Sequence, residues 1–369
     1  MSNRNQHLIN AYRQLSRQAD HSVLATIIET SGSTYQKAGA RMLISETGEL
    51  QGLLGGGCFE RDLVEQARSV FETGRAKIAS YDMRAPDDII WGLGLGCNGA
   101  VKILLQHLKA EDDYFPLNCI ADIAETGASG ILVSVFESSH TNFPVGLNQF
   151  LPASITDEPV GDDPFSATAS LSVLQQKPHI ETHVISGQTI KAFYEPLTPP
   201  WHLLILGAGP DAAPLVQCAK ALGWRVTLAD HRPGLLQHAR FPEADRLLHC
   251  HPEDIHNETA LNQFNALVLM THNIEYDLRY LKSLVDSVIP IIGLLGPGHR
   301  RDKLLQSLGD RSSRIASRVF GPVGLDIGAQ TPEEIALSIM AGIHADLNGR
   351  TGLQLSRKIS TADNHECCL

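Results

Sequence analysis

The residues best suited to chemistry gather in glycine-rich stretches. The first, Gly55-Gly56-Gly57-Cys58, runs straight into a helical pattern. N–H groups at a helix start, unshielded on glycine, can bind phosphate or another anion. The helix dipole there also favours a thiolate. The bland alternative is a tight turn with a buried, inert cysteine, the commoner fate of a lone Cys. Glu60 lies nearest the loop, whereas Arg61 reads as a solvated helix face. The second stretch, Gly94-Leu95-Gly96-Cys97-Asn98-Gly99, offers a further backbone cradle and a second thiol, although read alone it is a plain turn. If both loops meet one ligand, Cys58 and Cys97 flank it.

The third stretch, LLILGAGPDA over 203–212, organises the second half of the chain. Four apolar residues suit a buried parallel strand, and Gly207 and Gly209 turn its end into a helix over 210–222. Ala212 stands where a third glycine often sits and adds only a methyl. A strand over 225–229 ends at Asp230, where an acid can hold a ribose hydroxyl, and Arg232 could accept a 2′-phosphate. Thr271-His272-Asn273 follows a strand over 266–271 at its carboxyl end, where open α/β sheets bind ligands. His249 and His251 share a face if extended, but no third or fourth metal ligand is spaced to join them. No nucleophile elbow and no P-loop lysine occurs, so hydrolysis has no support.

The elements that must position these residues alternate between strand and helix. A helix over 7–18 precedes a β-branched strand at 23–28, a polar loop at 31–39, and a hairpin of strands 40–44 and 50–54. A helix over 59–71 closes at Gly74. Strands at 76–83, 101–105 and 130–136 and a helix at 115–125 complete a first α/β domain. Residues 137–176 read as loop, and 179–194 as an added hairpin. Pro196, Pro199 and Pro200 mark a linker. Beyond the nucleotide-type unit come a helix at 276–285, a strand at 289–295 and a helix over 335–347. Thr331 caps that last helix, Pro332 occupies its first turn and Glu334 closes a capping box. The expected organisation is an N-terminal α/β domain (1–195), a Pro-rich linker (196–202), a Rossmann-like parallel-sheet domain (203–350) and a disordered tail (351–369) with Cys367 and Cys368.

Composition bounds the classes. The chain has 369 residues, 43% hydrophobic and 19% charged, as a soluble α/β protein with a real core requires. A formal net charge of −11 disfavours nucleic acid or an anionic membrane as main partner. No apolar run is long enough to span a bilayer, and the first residues lack a signal-peptide core. Seven cysteines without a CxxC pair fit a reducing cytoplasm. A homodimer is the default assembly.

Several segments together resemble the XdhC/CoxI accessory proteins of xanthine and carbon monoxide dehydrogenases. They are ATIIETSGSTYQKAG (25–39), GLLGGGCFE (52–60), GLGCNG (94–99), GAGP (207–210) and DHRP (230–233). RFPEAD (240–245), MTHNIEYD (270–277), IGLLG (292–296) and GLDIGAQTPEEIALSI (324–339) complete the set. Three departures stand out. Cys58-Phe59-Glu60-Arg61 replaces the more usual Gly-Cys-Val-Glu-Gly, Pro210 replaces a histidine, and Pro297-Gly298-His299 replaces a serine-arginine continuation. The resemblance implies a maturation factor that binds molybdenum cofactor (molybdopterin, as monophosphate or dinucleotide). It also implies that the factor supports sulfuration with a cysteine desulfurase and delivers the cofactor to an apo molybdenum hydroxylase. Cofactor phosphates would lie on the glycine loops, with Cys58 as a soft sulfur ligand to molybdenum. The rival reading is an NAD(P)-dependent oxidoreductase on the same fold, with His272 as acid/base. A nucleotide-sensing interaction protein is a third.

Overall fold

The chain divides into two units, Met1–Pro200 and Trp201–Leu369. The structure, a computed structural model, describes residues 6–18, 20–57, 59–84, 99–153, 164–166 and 177–354. Cys58, Gly96, Cys97 and the tail cysteines lie outside the described residues.

The first unit begins with α1 (Gln6–Gln18), β1 (Ser22–Gly32), β2 (Arg41–Ser45), β3 (Leu50–Gly52), α2 (Glu60–Thr73), β4 (Lys77–Asp82) and β5 (Gly99–Leu108). These strands form an antiparallel sheet in the order β3-β2-β1-β5-β4. Val23, Ala25 and Ile27 pack on Leu63, Ala67 and Val70 of α2. On the opposite face Leu24 meets Leu8 and Ala11 of α1. Because both faces are covered, every residue from Ser22 to Ile28 is buried. Each such Leu or Ile contributes about 1.5–3 kcal/mol relative to exposure. Helix α2 stops where Gly74, at φ +65°, donates its N–H to the Val70 carbonyl.

A second antiparallel sheet, not foreseen as separate, follows α3 (Leu117–Thr126). It is built from β6 (Gly130–Ser138), β7 (Asn148–Pro152), β8 (His179–Ile185) and β9 (Gln188–Leu197) in the order β7-β6-β9-β8. Strand β7 corrects the loop reading of 137–176. Its sequence, NQFLP, has little strand character and is held by pairing with β6. The linker is also shorter than 196–202, because Pro196 lies inside β9 opposite Ile131. That position is beyond the last β8 pair, Tyr194 with His179, so no partner needs a donor there. Arg41 of β2 and Glu195 of β9, each about 95% buried, form an ion pair that ties the two sheets together.

The second unit runs β10 (His202–Leu206), α4 (Ala212–Ala221), β11 (Arg225–Asp230), β12 (Arg246–His249), β13 (Ala266–Leu269) and α5 (Ile274–Leu284). It continues with β14 (Ile291–Leu294), α6 (Gly298–Ser307), β15 (Val319–Phe320) and α7 (Pro332–Leu347). All neighbouring strands are parallel, in the order β12-β11-β10-β13-β14-β15. Helices α4 and α7 cover one face, α5 and α6 the other. Under such two-sided burial every residue of β10 and β13 is buried, and all but His202 are apolar. Thr331 and Glu334 form the expected reciprocal capping box. Strands β12 and β15 and helix α6 carried too little apolar pattern to be anticipated. Only Leu304 of α6 is buried.

His202 opens β10 with its ring packed on Phe264 and Nε2 bonded to the Thr227 hydroxyl at 2.9 Å. Burial, reinforced by nearby Arg225, pushes its pKa down to about 4 from 6.5. The unfolded chain therefore binds this proton first, and the stabilisation is complete above the unfolded pKa. Stability of the second unit should fall by about 1.4 kcal/mol per pH unit between those two values. Urea unfolding of His202→Gln should show a visibly shallower pH dependence over the same interval, and an unchanged slope would refute the assignment.

Candidate functional site

Glu60 decides the geometry of the first glycine loop. As the first residue of α2 it is 6% exposed, and its carboxylate turns back over the loop. Oε1 accepts the Gly55 N–H at 2.7 Å, while Oε2 accepts those of Gly57 at 3.0 Å and Phe59 at 3.2 Å. These N–H groups were expected to stand open to a phosphate. The expectation is corrected, because the chain supplies its own anion at the positive end of α2. Gly56 and Gly57 adopt φ +68° and +99°, so both need glycine. Residues on either side of position 58 are thus pinned to one carboxylate.

The three described cysteines offer no thiolate. Burial pushes the Cys119 thiol up to about 12 and that of Cys250 up to about 11, and it raises Cys218 as well. None of these three is therefore set up as a soft sulfur donor at neutral pH.

In the second unit the GAG turn joins β10 to α4. Gly207, at φ +121°, is the contact residue: a Cβ there would lie 2.5 Å from the Met270 carbonyl oxygen beyond β13. Ala212 is fully buried between α4 and the sheet, so its extra methyl is accommodated. Asp230 was expected to face a ribose. It is instead turned inward at 1% exposure. Its Oδ2 accepts the Ala208 N–H at 2.7 Å, and Arg232 grips both oxygens at 2.9 Å. Burial opposes the charge, but Arg232 and the Ala208 and Arg232 amides together hold this carboxyl below the usual range. Arg232 is correspondingly committed to Asp230 and is not a free 2′-phosphate ligand in this arrangement.

Thr271 and His272 lie at the carboxyl end of β13, as anticipated, but play different parts. The Thr271 hydroxyl bonds to Asp277, a buried carboxylate that Arg300 also grips at 2.6 Å. That triad fastens the starts of α5 and α6 to the sheet edge. His272, at φ +57° and with a 57% exposed side chain, reaches Asp211 Oδ2 through Nε2 at 2.8 Å. Asp211, His231, Tyr276, Asp277 and Arg300 were not singled out from sequence, although all but Arg300 lie within or directly beside the GAGP, DHRP and MTHNIEYD segments. His231 stacks on Tyr276 with ring centroids 3.8 Å apart. His249 donates Nε2–H to the His231 carbonyl at 3.1 Å, which removes that nitrogen from metal binding. Among the described residues no group of three or more His, Cys, Asp or Glu can hold a metal ion, and no helix is long and apolar enough to cross a membrane.

A six-stranded parallel sheet with a glycine turn and a carboxyl-edge crevice defines a Rossmann-like unit, here accompanied by a unit of antiparallel sheets. Residues 203–343 match the XdhC Rossmann domain, and residues 15–82 match the XdhC and CoxI family. The chain is 34% identical over 324 residues to a probable xanthine dehydrogenase subunit from Bacillus subtilis, covering 88% of this chain and 92% of that protein. It belongs to the XdhC and CoxI family. It is also 22% identical over 325 residues to the molybdenum cofactor insertion chaperone PaoD of Escherichia coli, covering 87% of this chain and 82% of PaoD. A crystal structure described as a xanthine dehydrogenase from Bacillus halodurans superposes with a TM-score of 0.75 at 30% identity, covering 95% of this chain and 98% of that one.

Two substitutions test the architecture of the turns. Glu60→Ala strips three N–H groups of their acceptor and should cost about 2–4 kcal/mol, read as a lowered unfolding midpoint of the first unit. Gly207→Ala meets both a positive φ and the Met270 carbonyl, and should cost roughly 2 kcal/mol in the second unit. A wild-type midpoint for either variant would contradict the corresponding contact.

Proposed function

We propose that this protein carries molybdenum cofactor as cargo and hands it to an apo molybdenum hydroxylase of the xanthine dehydrogenase type. The observation that supports the reading best is the carboxylate-braced turn at Gly55–Phe59. Gly57 and Phe59 are both held by Glu60, so the segment bearing Cys58 is anchored on either side. A thiol at such a turn is a soft donor suited to molybdenum.

The similarity to PaoD, described as a molybdenum cofactor insertion chaperone, supports the cargo assignment, and the Bacillus subtilis relative supports a hydroxylase client. In this reading the protein shelters the cofactor while a cysteine desulfurase provides its terminal sulfur, then docks on the hydroxylase for transfer. The oxidoreductase reading asked Asp230 to hold a ribose, and that carboxylate is engaged by Ala208 and Arg232.

Anaerobic titration of purified protein with molybdenum cofactor is the test. Wild type should retain the cofactor through gel filtration, and Cys58→Ala should retain about tenfold less or lower still. Equal retention by the variant would remove Cys58 from the site, and no retention by wild type would end the carrier proposal.

A further inference from the structure

The strand order reverses between β10 and β13, so the crevice above their carboxyl ends is the topological switch point where doubly wound sheets bind ligands. A dinucleotide fold would place a phosphate there, on the first turn of α4. This chain places an acid there instead. Asp211 immediately precedes α4 and makes no capping hydrogen bond to the helix. Its carboxylate faces His272 across the crevice, with Nε2 to Oδ2 at 2.8 Å. The two side chains border a depression of about 650 Å³ whose other walls include Pro210, Pro214, Gln217 and Glu333. Among the described residues no lysine or arginine lines it. Two carboxylates and one imidazole make a poor seat for a phosphate. Arg232, which the sequence offered for a phosphate, pairs with Asp230 instead.

The same groups suit the opposite kind of ligand. A carboxylate accepts two parallel N–H bonds from a planar group that presents adjacent donors. An aminopyrimidinone edge, with its ring N–H beside an exocyclic amino group, is such a group. Pterins carry this edge, and so does guanine. The volume falls within the range of small-molecule sites. We infer that the depression at the carboxyl edge of the second unit binds an aminopyrimidinone edge, read by Asp211 with its carboxylate oriented by His272, and that it rejects phosphate. The inference rests on the molybdenum-cofactor reading for its choice of cargo. Within that reading it fixes an orientation, with the heterocycle edge towards Asp211 and the phosphate directed away from α4.

Calorimetric titration of the full chain with pterin, guanosine, adenosine, inorganic pyrophosphate and NAD tests the site without a metal. Pterin or guanosine should bind at least about tenfold more tightly than adenosine, whose edge offers one donor and one acceptor. Whichever of the two binds more tightly identifies the source of the edge. Asp211→Asn should remove that preference while circular dichroism and the unfolding midpoint stay near wild type. The wild-type comparison stands by itself if this variant does not fold. Pyrophosphate or NAD binding more tightly than both pterin and guanosine, or no preference over adenosine, would overturn the inference. A parallel titration with molybdenum cofactor separates the two proposals. Equal cofactor binding by wild type and Asp211→Asn sinks this inference and leaves the carrier role standing. Asp211-dependent pterin or guanosine binding without any cofactor binding does the reverse.

Discussion

Backbone amides at two glycine turns, each held by a carboxylate from the same chain, constrain much else in this protein. A tight turn at the end of a strand leaves N–H groups without ladder partners, and a buried N–H needs an acceptor. At the first turn Glu60 reaches back over Gly55, Gly57 and Phe59, and at the second Asp230 crosses from β11 to Ala208. Charge-assisted bonds of this kind are stronger than neutral ones, so both turns are stiff. Stiffness at these points sets where α2 and α4 begin and how closely β10 approaches the end of β13.

Internal carboxylates also change what the turns can do. Glycine loops at helix starts are generic anion sites, and here that capacity is met from within. Glu60 occupies the positive end of α2, and Asp211 stands at the start of α4 beside His272. The buried pair Arg41–Glu195, and the partly exposed Arg300 on buried Asp277, apply the same solution to side chains. A buried carboxylate requires such a partner. An acid-guarded crevice at the start of α4 is a poor seat for the phosphates of a dinucleotide.

Much of the second unit was legible because its signals are local. Four apolar residues before Gly207 and the capping box at Thr331 each reflect a requirement met within a few residues, and both elements form as read. The first unit was less legible. Strand β7 exists through pairing with β6, and Pro196 lies within β9 because the neighbouring strand has already ended. Neither fact has a local signature.

The sequence by itself determined the fold class, the family motifs and the positions of the glycine turns, since backbone sterics and hydrophobic periodicity act at short range. Only the tertiary structure decided which partners the functional side chains take. Glu60 and Asp230 face inward, Arg232 closes on Asp230, and Asp211 meets His272 from 61 residues away in the chain. A carboxylate type at a given position shows that a charge must be placed. Which amide, cation or imidazole it meets depends on elements brought together by the two-sided burial of the sheets.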